Sequence, residues 1–342
     1  MTDDLKMRVH GDASLPTLVY LPGLHGDWTL VSSFRVAIAG RARFVEFTYP
    51  RTTTWSLDDY ARGIEEMLLA QGIERGWLLG ESFGSQPAWQ IVKRFHDAQD
   101  TQHAFRLTPY PSQEGSHPLD SLGRNTAATE RSQHSDALDQ FPSREGSGAG
   151  SSSNRIGDPV GFRTQGLILA GGFVRHPVIW AVRMAGRVSS AIPLWFVKLF
   201  CAVYARYARF RHNRAPETLA SIGEFVANRT MEADRQAIVH RYTLIAENDL
   251  RLVARQTEFP VFYLAGLVDP LVPWCHVRWW LRKNCPGYRG GKTMWRADHN
   301  VLGTAPQRSA ELIMAWISNA SLAHADVEPS NDGPRTTANR FR

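Results

Sequence analysis

The chain has 342 residues, of which 43% are hydrophobic, 11% aromatic and 21% charged. That length suits roughly two domains or one large α/β domain with insertions, and the apolar fraction excludes a chain disordered throughout. Its 39 basic and 33 acidic residues leave a net charge of +6, yet no RNP, zinc-finger or basic-zipper pattern turns that surplus into a nucleic-acid partner.

The N-terminus, Met1-Thr2-Asp3-Asp4-Leu5-Lys6, carries two early acids and no apolar core, so it does not read as a secretory signal. Cys201, Cys275 and Cys285 form no Cys-x-x-Cys pair, which excludes a disulfide scaffold and favours a reducing, cytoplasmic setting. Strand-like apolar runs follow at Thr17–Leu21, Arg43–Tyr49, Gly76–Gly80, Gly166–Gly171, Pro260–Ala265 and Lys292–Ala297. Most are continuously apolar, as expected of strands covered on both faces, and helix-period segments separate them. Ser56-Leu57-Asp58-Asp59 reads as a capping box opening a helix through Ile64, Met67 and Leu68 toward Gly72. Near the end, Pro306 precedes the apolar face of Leu312, Ile313, Trp316 and Ile317. The pattern predicts an α/β fold with a mostly parallel central sheet flanked by helices.

Two segments break the rhythm. Residues 97–163 are rich in Ser, Gly, Gln, Asp, Arg and Thr and include Gly146-Ser147-Gly148-Ala149-Gly150-Ser151-Ser152-Ser153. Too few apolar residues lie there to offset ordering entropy, so the segment reads as a disordered insertion, and residues 323–342 as a disordered tail. His103, His117 and His134 fall in the insertion without ligand-type spacing, so no metal is expected. Residues 174–259 read as a helical cap. The core is then 1–96, 164–173 and 260–322. Arg183, Arg187, Pro193 and Lys198 interrupt the apolar residues of the cap, which excludes a membrane span.

The sharpest local signal is Gly80-Glu81-Ser82-Phe83-Gly84, set between the run Trp77-Leu78-Leu79 and a helix-period segment from Ala88 to Phe95. A strand-to-helix turn this tight lifts the Ser82 hydroxyl above the sheet edge, where a helix begins. A serine needs a base and an orienting acid, in chain order serine, acid, histidine. Asp269 follows the strand ending at Ala265, and His299 follows the strand ending near Trp295. Both fall at C-terminal strand ends, where open α/β sheets bind ligands. Other readings stay open: Asp269 before Pro270 as a turn former, and His299 as a surface residue. Asp298 adjoins the histidine, but a sequence neighbour rarely aims its carboxylate at the ring beside it. An oxyanion hole would use the backbone amides of Phe83 and of Leu24, the latter in Leu21-Pro22-Gly23-Leu24-His25-Gly26.

Gly80–Gly84, Pro22–Gly26, Asp269 and His299 together resemble the α/β-hydrolase superfamily, over roughly Pro16–Phe95 and Gly166–Ser318. The resemblance implies a serine hydrolase with Ser82 as nucleophile, His299 as base, Asp269 as its orienting acid and no cofactor. Many members carry His-Gly where this chain has Pro22-Gly23. The serine at position 82 disfavours members with an aspartate nucleophile. Cleavage of a carboxylic ester or thioester leads. An acyltransferase on the same triad and a non-catalytic ligand-binding protein on the same scaffold are the alternatives.

In the cap, Trp180, Trp195, Phe196, Phe200, Tyr204, Tyr207 and Phe210 mix with Arg183, Arg187, Lys198, Arg206, Arg209, Arg211 and Arg214. From Val174 to Pro216 there are eight Lys or Arg residues and no acid. These aromatics read either as packing the cap onto the sheet or as a surface making peripheral contact with an anionic membrane.

Overall fold

Alternate residues of the central strands point into two different cores, and that alternation organises the molecule. The structure is a computed structural model. It describes residues 4–107, 161–193 and 231–325, together with scattered positions between 195 and 224. In chain order the elements are β1 (Lys6–His10), β2 (Thr17–Leu21), α1 (Ser32–Ile38), β3 (Arg43–Thr48), α2 (Leu57–Ala70), β4 (Arg75–Glu81) and α3 (Ser85–Leu107). They continue with β5 (Arg163–Ala170), α4 (Ile179–Ala191), α5 (Glu232–Glu247), α6 (Arg251–Gln256), β6 (Val261–Gly266), α7 (Trp274–Asn284), β7 (Tyr288–Met294), α8 (Val301–Thr304) and α9 (Pro306–Ala325). Residues 1–98 with 161–342 form one compact unit. Residues 99–160 form a second, of which only the end of α3 is described.

The seven strands make one sheet in the order β1-β3-β2-β4-β5-β6-β7. β1 runs antiparallel to β3, and every other pair is parallel. Val19, Leu21, Leu78, Leu167, Leu169 and Tyr263 bury one face against α2, α3 and α7, through Ile64, Leu68, Trp89, Val92, Val277 and Leu281. Leu18, Tyr20, Leu79, Ile168 and Leu264 bury the other against α1 and α9, through Phe34, Ile38, Ile313 and Ile317. A strand covered on both sides needs apolar residues at every position, which is why these runs are continuous.

The edges were harder to read. β1 was not expected: its Lys-Met-Arg-Val-His sequence is exposed or half-buried throughout, as suits an edge strand with no second apolar face. The last strand lies earlier than Lys292–Ala297, at Tyr288–Met294, and Trp295 beyond it is 77% exposed. α3 runs to Leu107, eleven residues into the expected insertion, and β5 already begins at Arg163. The remainder of that insertion, with His117 and His134, lies outside the described residues, as does the tail beyond Ala325.

Of the segment expected as a cap, α4 and α5 pack on each other; a Cβ at Gly186 would stand 3.3 Å from Tyr242 Cβ. α5 is tied to the loops after β2 and β3. Arg241 donates to the carbonyls of Leu24 (2.9 Å) and Pro50 (3.0 Å), and Asp234 pairs with Arg51. α6 contributes Val253 and Ala254 to the same core as α7, as α4 does with Val182 and α5 with Leu244 and Ile245. Among the described residues no helix is long and apolar enough to cross a membrane.

The capping box is present as read. Ser56 Oγ accepts from the Asp59 amide at 3.2 Å, and Asp59 Oδ2 accepts from the Ser56 amide at 2.9 Å. Ser56→Ala should therefore lower stability by about 1 kcal/mol. An unchanged denaturant midpoint would show that the box contributes nothing to α2.

Candidate active site

Ser82 occupies the sharp turn between β4 and α3, with φ 49°, and it is the only non-glycine at positive φ among the described residues. Such a conformation is disfavoured for a residue with a Cβ and persists only where the surroundings impose it. Here they do. A Cβ at Gly80 would stand 2.7 Å from Ser85 Cα, and one at Gly84 would collide with the Leu21 carbonyl. β2 and the start of α3 therefore approach the turn as closely as backbone allows. Ser85 and Gln86 pin the next loop as well: Ser85 Oγ (2.9 Å) and Gln86 Nε2 (3.0 Å) both donate to the Phe173 carbonyl.

His299 reaches this serine from the loop after β7. Its Nε2 lies 2.8 Å from Ser82 Oγ, and its Nδ1 lies 2.9 Å from Asp269 Oδ2. With a carboxylate facing Nδ1, that nitrogen carries the proton, leaving Nε2 to accept from the serine hydroxyl. Asp269, in the loop after β6, keeps its other oxygen on two backbone amides, Leu271 (2.9 Å) and Val272 (3.0 Å). Its side chain is fully shielded from solvent. Asp269 does act as a turn former: one oxygen shapes the loop while the other meets the ring. Asp298 points elsewhere, its Oδ1 accepting from the Asn300 amide (3.1 Å) at the start of α8.

The Pro22–Gly26 loop lies against the serine. A Cβ at Gly23 would stand 3.3 Å from Ser82 Cβ and 3.3 Å from His25 Nδ1. The loop closes through Gly26 N–H to Gly23 O (2.9 Å), and Arg241 grips its Leu24 carbonyl. At the other end of the site, His176 accepts the Val178 amide on Nδ1 (3.1 Å). It must then donate from Nε2 to the Leu271 carbonyl (3.2 Å), bracing the loop of Asp269. Burial holds His176 below the ordinary histidine range. Sequence reading missed Arg241 and His176, which carry no motif and act through backbone carbonyls.

Glu81 was also missed, although it sits inside the motif. It is buried beneath the serine and accepts a hydrogen bond from Tyr20 Oη. Burial pushes its carboxyl up to about 6 against the opposing pull of the Tyr20 hydrogen bond and the His299 charge. For His299 burial again disfavours the charged ring. The hydrogen bond and charge of Asp269 outweigh it, with Glu81 and Asp298 adding, and the net shift is upward.

Two hollows lie along the loops after β2 and β5, and neither is lined by Ser82, Asp269 or His299. One of about 790 Å³ is lined by His25, Trp28, Tyr49, Arg51 and Arg241. Another of about 340 Å³ lies by His176, Ile179, Trp180 and Trp280. Among the described residues no group of three or more His, Cys, Asp or Glu is arranged to hold a metal ion.

An NMR titration of the His299 ring checks these electrostatics without a substrate. Its midpoint should lie above that of an ordinary histidine, fall most in Asp269→Asn and less in Glu81→Gln. Because the folded-state value is raised, this pair adds stability below the unfolded histidine value and loses it as pH rises through the folded one. A midpoint below the ordinary value would mean that burial, not Asp269, governs the ring.

No family model matches the chain, and no curated protein matches it in sequence. Solved structures do. A hydrolase from Pseudomonas aeruginosa is 14% identical, with 92% of this chain and 94% of that one covered at a TM-score of 0.59. An α/β-hydrolase from a Medee basin deep-sea metagenome library is 11% identical, covering 92% and 94% at 0.60. A thermophilic esterase from Thermogutta terrifontis is 15% identical, covering 92% and 93% at 0.56. With its sheet order, its crossovers and these neighbours, the chain has the α/β-hydrolase fold.

Proposed function

We propose that the protein is a serine hydrolase that cleaves a carboxylic ester or thioester through an acyl-enzyme. The observation that carries this reading is the unbroken line from Ser82 Oγ through His299 to Asp269, at 2.8 and 2.9 Å. An aliphatic hydroxyl is a weak nucleophile at neutral pH, and a base already in hydrogen-bond contact removes its proton as attack proceeds. Ser82 Oγ attacks the acyl carbonyl, and His299 Nε2 takes the proton. Asp269 holds the ring in its productive tautomer and stabilises the imidazolium. The amides of Phe83 and Leu24 serve the developing oxyanion, the second held in place by the Arg241 grip on the same residue's carbonyl. The imidazolium then protonates the departing alcohol or thiol. Water enters, gives its proton to the same nitrogen, and releases the acid.

Likeness to a hydrolase and to an esterase supports hydrolysis.

A panel of p-nitrophenyl esters and acyl thioesters of increasing chain length tests the reading. Ser82→Ala should lower kcat by a factor on the order of 10⁴ or more. Asp269→Asn should lower it by about 10⁴, with the fold retained. Asp298→Asn should stay within about tenfold of the parent, because its carboxylate faces α8. Full activity in Asp269→Asn together with loss in Asp298→Asn would reassign the acid.

A further inference from the structure

The expectation that the aromatic residues of segment 174–216 pack inward fails where side chains are described. Trp180 is 72% exposed, Trp195 65% and Phe196 44%. Their neighbours on the helices are exposed too. On α4, Trp180, Met184 and Val188 recur every fourth residue, and at 3.6 residues per turn they span about 80° of one face. Arg183 and Arg187 lie on the adjoining arc and are also exposed. Val182 and Gly186, on the opposite face, are buried and point toward α5. Beyond Pro193 the same spacing returns: Trp195, Leu199 and Val203 are helical and exposed, with Arg206 after them.

We propose that the outer face of α4, continued by Trp195, Leu199, Val203 and Arg206, docks the protein on an anionic lipid bilayer. Two successive helical stripes of large apolar side chains bordered by arginines match an interfacial helix. The apolar residues enter the acyl boundary while the guanidinium groups stay at the level of the phosphates. No Asp or Glu interrupts residues 174–216, so the charged side chains that the stripes themselves carry are all cations that attract an anionic headgroup. A second copy is a poor occupant, because a two-fold contact would set these arginines against their own counterparts. Nucleic acid leaves the apolar stripes uncovered. The 340 Å³ hollow lined by Ile179 and Trp180 opens where α4 begins, beside the loop of Asp269, so docking would hold the sheet's C-terminal edge near lipid.

Vesicle flotation of the full chain tests this, using neutral phosphatidylcholine and the same lipid with about 30% phosphatidylserine. The protein should float with the anionic vesicles at low salt, at least tenfold more than with neutral ones, and high salt should remove the preference. Arg183→Glu/Arg187→Glu/Arg206→Glu should cut anionic binding at least tenfold. Met184→Ser/Val188→Ser/Trp195→Ser should weaken binding to both vesicle types, while hydrolysis of a soluble short-chain ester and the unfolding midpoint stay at parental values. The proposal is overturned if the parent ignores anionic vesicles at low salt, or if both variants bind as it does. It is equally overturned if the apolar variant instead abolishes a concentration-dependent self-association.

Discussion

The close approach of backbone around Ser82 is the constraint on which the site depends. β2 and the first turn of α3 meet the turn at Gly80 and Gly84, where no Cβ fits. That contact forces Ser82 to positive φ and stands its hydroxyl at the sheet edge. The strain is sustained by the two apolar cores on either side of β4, so stability elsewhere holds a costly geometry here. Everything the other loops contribute is aimed at this fixed point.

Three loops from different strands converge on it. The loop after β6 supplies Asp269, the loop after β7 supplies His299, and the loop after β2 lies against Ser82 at Gly23. Each loop has its own brace: His176 on the first, Asn300 at the start of α8 after the second, and Arg241 on the third. Arg241 comes from α5, so that helix also sets the loop that faces the serine. Electrostatics follow the same design, with Asp269 raising the histidine and Glu81 held partly neutral by burial near pH 6.

How much was legible follows from where each residue sits. Central strands announced themselves because two covered faces demand unbroken apolar runs, whereas β1 was missed and β7 was placed too late because an edge strand needs no such run. Ser82, Asp269 and His299 were readable because glycines around a serine and polar residues just past apolar runs leave a linear trace. Arg241 and His176 leave none: each acts through a carbonyl distant in sequence, and any residue type can present a carbonyl. Glu81 was in plain view, but only burial against Tyr20 gives it meaning. The aromatics after Val174 were readable as a cluster, but their direction was not. Helical spacing places residues on one face without saying whether that face meets protein or solvent.

The central claim is that Ser82 is an activated nucleophile, and intact-mass analysis after exposure to a fluorophosphonate tests it most directly. The account predicts one adduct on the parent protein, mapped to Ser82, and none on Ser82→Ala. A folded parent protein that takes up no probe, or an adduct that persists in Ser82→Ala, would contradict it.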